Sequence, residues 1–255
     1  MAVTMTTTEH TGSGDLSRSM ALLWGEKEPP ARGPKPGLTL DAVVTAAVEL
    51  ADAEGLGALS MRKVAARLGV GTMTLYRYVP GKGELLDLML DKVQGPAEGT
   101  DAFRGRGWRA ALEFVARGSW ELYTSHPWLL QINQTRPVLG PNSMASFDFA
   151  LAELDGIGLT GQEKVALLVT VDNFVTGTAR MAVLARQTAE ETGVSDEEFW
   201  NAQLPYIETA LERGDYPAIA ALPDDAFSSD LDILAFGLEP LLDGFATLID
   251  ARTER

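Results

Sequence analysis

Thr72, Met73, Thr74, Tyr76, Arg77 and Tyr78 bring two hydroxyls, a thioether, two phenols and a guanidinium into seven residues. Such a set suits contact with a nucleic-acid duplex. Guanidinium and hydroxyl groups hydrogen-bond base edges, an apolar end meets a thymine methyl, and phenols and lysines hold phosphates. No comparable set points to catalysis. The chain has no cysteine and only two histidines, His10 and His126, so neither a thiolate zinc site nor a histidine-based triad assembles easily. The acidic clusters Asp196-Glu197-Glu198 and Asp224-Asp225 lack a second facing set, and helix capping with solvation accounts for both. The expectation is a binding protein without catalytic residues, metal or cofactor.

A net charge of −15 argues at first against a nucleic-acid partner. The charge is uneven, however. Residues 27–82 carry eight Lys/Arg against five acids, whereas residues 83–255 carry twelve basic against twenty-eight acidic. The acid lies away from the segment that would meet DNA, where it repels phosphate and turns the basic end toward the duplex. No stretch of eighteen apolar residues occurs, and the first ten residues have neither a basic patch nor an apolar block. A cytoplasmic protein with no membrane partner is expected.

The elements that position these residues read as helices throughout, with no alternating strand pattern. Thr39 caps a segment with Val43, Val44, Ala47, Leu50 and Ala51 on one face, ending at Glu54-Gly55. Ser60 caps Met61–Leu68, Gly69 supplies a left-handed turn residue, and a third helix is expected over Thr72–Val79. Val64, Ala65, Leu68, Val70, Leu75 and Val79 form the inner seam. Two short helices, a tight turn and a polar outer face make a helix–turn–helix, although a plain structural three-helix unit shows the same periodicity. Leu85, Leu86, Leu88, Met89 and Val93 then cover more than one face of a fourth helix, so residues 83–94 are expected to bridge two packed bodies.

Upstream, residues 1–37 are rich in Thr, Ser, Gly and Pro and read as a flexible extension. Within it Leu16, Met20, Leu23 and Trp24 suggest a short helix over 16–24. Downstream, Trp108, Leu112, Val115 and Leu122 form one stripe, and Met144, Phe147, Leu151 and Leu154 another. Thr160-Gly161-Gln162-Glu163 is a capping box opening a helix of about thirty residues, and Ser195 to Glu198 is a second box. Phe227, Leu231, Leu234, Leu238, Leu241, Phe245 and Leu248 repeat along a last helix. The division expected is 38–82 for the helix–turn–helix and 83–255 for an all-α ligand-binding and dimerisation domain.

The stretch Leu40–Val93 resembles the DNA-binding domain of the tetracycline-repressor (TetR) family. The resemblance is most specific in Leu59-Ser60-Met61-Arg62-Lys63-Val64-Ala65-Ala66-Arg67-Leu68-Gly69-Val70, Thr74-Leu75-Tyr76-Arg77-Tyr78-Val79 and Lys82-Gly83-Glu84-Leu85-Leu86. It implies that Ser60 and Arg62 approach the DNA backbone and groove edge, and that Thr72, Met73, Thr74 and Arg77 face bases. It also implies that Tyr76, Tyr78 and Lys82 hold phosphates. Arg32 and Lys35 are candidates for a basic arm, a solvated linker being the alternative. In the second domain Gly107-Trp108, Ser125-His126, Thr135-Arg136-Pro137 and Asn173-Phe174 with Gly177 resemble the tetracycline-repressor branch. The histidine that would hold a tetracycline–magnesium chelate has no counterpart, its place falling near Ile132 or Asn133.

A ligand pocket needs apolar walls and a few orienting polar groups. Candidates are Trp108, Trp120, Trp128, Phe147, Phe174 and Trp200 for walls, and Asn133, Arg136, Asn173 and Arg180 for polar contacts, with core packing the plain alternative for each aromatic. The resemblance implies that the last two long helices pair with their copies, burial within the monomer being the alternative. The expected protein is a homodimeric repressor that binds a palindromic operator and releases it when a small apolar or aromatic molecule binds. The alternative is a helical small-molecule-binding protein with no regulatory role.

Overall fold

The computed structural model describes residues 9–25, 38–223, 226 and 231–253. Arg32, Lys35, Asp224, Asp225 and Phe227 lie outside them. The described residues form helices and turns, with one isolated parallel bridge between His10 and Asn133.

Helix α1 (Leu16–Leu23) is capped by the Asp15 side chain. α2 (Leu40–Glu54) is capped by Thr39, whose hydroxyl accepts from the Ala42 amide at 3.0 Å, and α3 (Met61–Arg67) by Ser60. Gly69, at φ +65°, turns the chain into α4 (Thr72–Leu75). α4 is shorter than the helix expected over Thr72–Val79. Past Leu75 the chain tightens into turns, although the Val79 amide still bonds the Leu75 carbonyl at 3.0 Å. α5 (Lys82–Val93) follows and packs against α1, α2 and, further on, α8.

A single helical turn, α6 (Thr100–Phe103), occupies the glycine-rich break. α7 (Trp108–Ser125) ends before His126-Pro127, and α8 (Pro141–Glu153) begins at Pro141, which needs no amide donor in a first turn. On α8 the buried face is Phe149, Ala150 and the following Leu154, not the expected Met144 and Phe147, which stand exposed. Phe149 is drawn inward because its ring meets the edge of Phe114 on α7, with the Arg104 guanidinium over it.

α9 (Gly161–Thr192) starts at the Thr160–Glu163 capping box and runs 32 residues. Among the described residues it alone has a stretch with the length and hydropathy of a membrane span, and a third of that eighteen-residue stretch is buried within the protein. Leu167, Leu168, Val171, Val175, Ala179 and Val183 make the buried side of this helix, which packs on α7 and on the last described helix, Ile233–Thr253. α10 (Asp196–Asn201), α11 (Leu204–Glu212) and α12 (Pro217–Ala220) bury no residue. α13 (Ile233–Thr253) closes the chain. Its Leu238, Leu242 and Ile249 face the core, while Leu231 just before it, Ile233, Phe236 and Leu248 are exposed. Of the expected interface stripe, Leu238 is buried, Leu234, Leu241 and Phe245 are half-buried, and Leu231 and Leu248 are exposed, because α13 is apolar on two sides and only one of them meets α9.

Candidate functional site

The helix–turn–helix seam is closed: Val64, Ala65, Leu75 and Val79 have lost nearly all contact with solvent. That burial fixes which side chains point out. Met73 is 76% exposed, an extreme value for a thioether that owes nothing to folding. Tyr76 and Arg77 are exposed beside it, Thr72 and Thr74 are half-buried, and Tyr78 leans on the core. The Ser60 oxygen accepts from the Lys63 amide at 3.3 Å, which leaves its hydroxyl hydrogen to donate outward.

Ion pairing sorts the cations of residues 38–82 and of α5. Lys63 meets Glu54 at 2.6 Å, Arg67 meets Glu49 at 2.9 Å, Lys92 meets Asp41 at 2.6 Å and Lys82 meets Glu9 at 2.8 Å. Arg62 and Arg77 are exposed and have no carboxylate partner among the described residues. These two guanidiniums can therefore neutralise phosphate or read a base edge without first breaking an ion pair with any described residue.

Behind this face, α5 carries three buried acids that the sequence reading passed over. Asp91 accepts from the amides of Asn142 (3.3 Å) and Ser143 (2.9 Å) and so caps α8. Asp87 accepts from the Gly12 amide at 2.9 Å and the Ser19 hydroxyl at 2.6 Å, and Glu84 accepts from the Asp15 amide at 2.9 Å. Burial pushes the Asp87 carboxyl above its ordinary range, and its two hydrogen bonds pull the other way. The available signal was three acids at i, i+3 and i+7 among the leucines of α5. On α1, Ser19 and Leu22 are the buried residues while Leu16 is exposed, because the tie to Asp87 turns the helix away from the face expected for it. A second joint lies at the end of α2, where one Asp52 oxygen meets both the Trp128 indole N–H and His126 Nδ1, each at 2.7 Å.

The expected ligand-site residues do not converge. Trp120 lines an open cleft of about 340 Å³ with Arg117, Glu121, Asp232 and Leu234, between α7 and the start of α13. Trp108 and Phe174 pack against the core. Phe174 on α9 lies so near Gly237 of α13 that a Cβ there would overlap its ring. Trp128 is fully enclosed and belongs to the Asp52 joint, so it is not a cleft wall. Asn133 and Arg136 are exposed, and their backbones bind the N-terminal segment. Phe147 is exposed on α8 and Trp200 on α10. Asn173 and Arg180 share a face, as expected, but it is the exposed one, with Val165, Val169 and Leu184. A polar pair not anticipated lies close by: the Tyr123 hydroxyl donates to Asp172 at 3.1 Å. Burial, with the Asp172 carboxylate beside it, pushes the Tyr123 phenol well above its usual range, so it remains a donor.

Residues 43–89 match the family described as bacterial regulatory proteins, tetR family, and residues 102–249 match the tetracyclin repressor-like C-terminal domain. The HTH-type transcriptional repressor DrrR1 of Streptomyces coeruleorubidus is 52% identical over 245 residues, covering 96% of this chain and 91% of that protein. Apo ActR from Streptomyces coelicolor superposes with a TM-score of 0.64 at 28% identity, over 87% of this chain and 99% of ActR. ActR in complex with actinorhodin superposes with a TM-score of 0.59 at 26% identity, over 84% and 99%. A helix–turn–helix whose exposed Arg62 and Arg77 have no carboxylate partner among the described residues, carried on a helical body of matching fold, agrees with these matches: the chain belongs to the tetR family of bacterial transcriptional regulators, with a tetracycline-repressor-like C-terminal domain.

Proposed function

We propose that this protein acts in the cytoplasm as a homodimeric repressor. Its DNA-binding unit is 38–82, and 83–255 binds a small molecule and a second copy. The observation that supports the DNA half is the pairing pattern: Lys63, Arg67 and Lys82 of the unit are held by carboxylates, while Arg62 and Arg77 are exposed and have no carboxylate partner among the described residues. Ser60, Thr72, Thr74, Tyr76, Tyr78 and Lys82 complete the contact set, with Arg32 and Lys35 as further candidates. The unburied apolar residues of α9 and α13, among them Val169, Leu184, Ile233 and Phe236, are the surface on which a second copy would close.

The effector proposed is a polycyclic aromatic molecule. Trp120 and Leu234 offer it apolar walls, and Arg117, Glu121 and Asp232 offer polar groups. ActR, of like fold, binds actinorhodin. The test is fluorescence anisotropy on duplex DNA from upstream of the protein's own gene, over a range of salt, with and without actinorhodin. Binding that falls steeply with salt supports the repressor, since each neutralised phosphate contributes about −0.9 to the log–log slope. Arg77→Ala should cost roughly 1–3 kcal/mol and change sequence preference. Salt-independent or absent DNA binding would favour a ligand-binding protein without a regulatory role.

A further inference from the structure

Residues 9–24 precede the segments matched to the family, yet they touch both halves of the molecule. Both ends are tied to the segment between α7 and α8. The Asn133 amide donates to the Glu9 carbonyl at 2.9 Å, and the Thr11 amide donates to the Asn133 carbonyl at 3.2 Å. The Thr11 hydroxyl donates to the Arg136 carbonyl at 2.6 Å, and the Trp24 indole donates to the Leu139 carbonyl at 3.2 Å. The middle is tied to α5 through Asp87 and Glu84. Contact there is close enough that a Cβ on Gly83 would lie 2.7 Å from the Gly14 Cα. At its start, the segment sets the Glu9 carboxylate on the Lys82 ammonium at 2.8 Å, both side chains about one-third exposed.

We infer that residues 9–24 are an inhibitory strap, in which Glu9 takes the place of a DNA phosphate on Lys82. This rests on the proposed role of Lys82 as a phosphate contact. A carboxylate and a phosphate oxygen compete for the same ammonium, so Lys82 is withheld from DNA for as long as Glu9 is on it. Glu9 is positioned by its backbone bonds to Asn133, not by α5. The charge is therefore presented to the helix–turn–helix by the segment that leads into α8. A shift of that segment relative to α5 would move Glu9 off Lys82 or press it on, which gives the body of the protein an electrostatic hold on DNA affinity.

The experiment uses the full chain and duplex DNA from upstream of its own gene, with affinity measured across salt concentrations. The variants are Glu9→Gln, Lys82→Ala, their combination, and Gly83→Ala. Glu9→Gln should tighten binding about two- to five-fold, the scale of a partly exposed ion pair, and steepen the salt slope by up to about 0.9. Removing any acid tightens binding slightly through the long-range field, and that part persists when Lys82 is Ala. The part belonging to the contact must vanish in the double variant. Gly83→Ala changes no charge but collides with the Gly14 backbone, so it should displace the strap and shift affinity in the same direction. Lys82→Ala weakening DNA while Glu9→Gln changes nothing would overturn the strap and leave the phosphate contact standing. If Lys82→Ala itself has no effect, the phosphate reading fails and the strap falls with it.

Discussion

The Trp128 indole nitrogen and the Asp52 carboxylate meet at 2.7 Å, where the last turn of α2 abuts the segment after α7. His126 shares the same oxygen at 2.7 Å, so one carboxylate gathers two rings that stand 6.1 Å apart. Trp128 is 1% exposed, so its N–H has no access to water if the acceptor is lost. Asp52→Ala should therefore cost about 1–3 kcal/mol, the desolvation penalty of a stranded donor. Asp52→Asn, which keeps an acceptor oxygen, should cost less. Urea unfolding followed by tryptophan fluorescence measures both, and equal stability of wild type and Asp52→Ala would refute the joint.

The two apolar sides of α13 separate assembly from folding. Leu238 is 5% exposed and Phe236 is 66% exposed, only two residues apart. Leu238→Ala should destabilise the subunit by about 2–5 kcal/mol, the usual cost of emptying a packed leucine site. Phe236→Glu should leave the subunit folded and yield monomers, because it puts a charge on the surface proposed to meet a second copy. Light scattering with circular dichroism distinguishes the two, and a Phe236→Glu protein that remains dimeric would place the interface elsewhere.

Asp87 should leave a trace in the pH dependence of stability. It lies among Gly12, Ser19, Glu84 and His10, and burial raises its carboxyl above the ordinary value of 3.8. A carboxyl raised in the folded state is protonated there before it is in the unfolded chain. Stability contributed by this group is thus least at neutral pH and grows as pH falls through the raised value toward 3.8. Glu163 acts in the opposite sense. The Thr160 backbone and hydroxyl bonds, aided by Arg252, hold it below the usual range, so its contribution is present at neutral pH and lost in acid. Comparing wild type with Asp87→Asn isolates the first effect, since Asn keeps the shape and one acceptor. The difference in unfolding free energy should shift in favour of wild type as pH falls below neutral. A pH-independent difference would show that Asp87 is not strained by burial.

Much of the fold was legible locally. Thr39, Ser60, Thr160 and Ser195 each cap the helix expected of them, because an N-cap is a contract between residues three apart. Gly69 takes positive φ where the turn between α3 and α4 demands it. Met73 and Arg77 point outward as their places relative to Val64, Leu75 and Val79 require. The ligand site was far less legible. Trp120 reaches a cleft while Trp128 is sealed in a joint, and nothing in their neighbours along the chain tells them apart.

The sequence by itself determined the helices, their caps, the helix–turn–helix and the resemblance to a family, since these follow from spacings of a few residues. Tertiary structure alone decided which of two apolar faces on α13 is core, that Asp87 and Asp91 inside α5 serve as acceptors, and that Lys82 is held by Glu9. The physical reason is range. Periodicity says which residues share a face, but not what that face meets. An ion pair between residues 73 positions apart exists only once every helix between them has been placed.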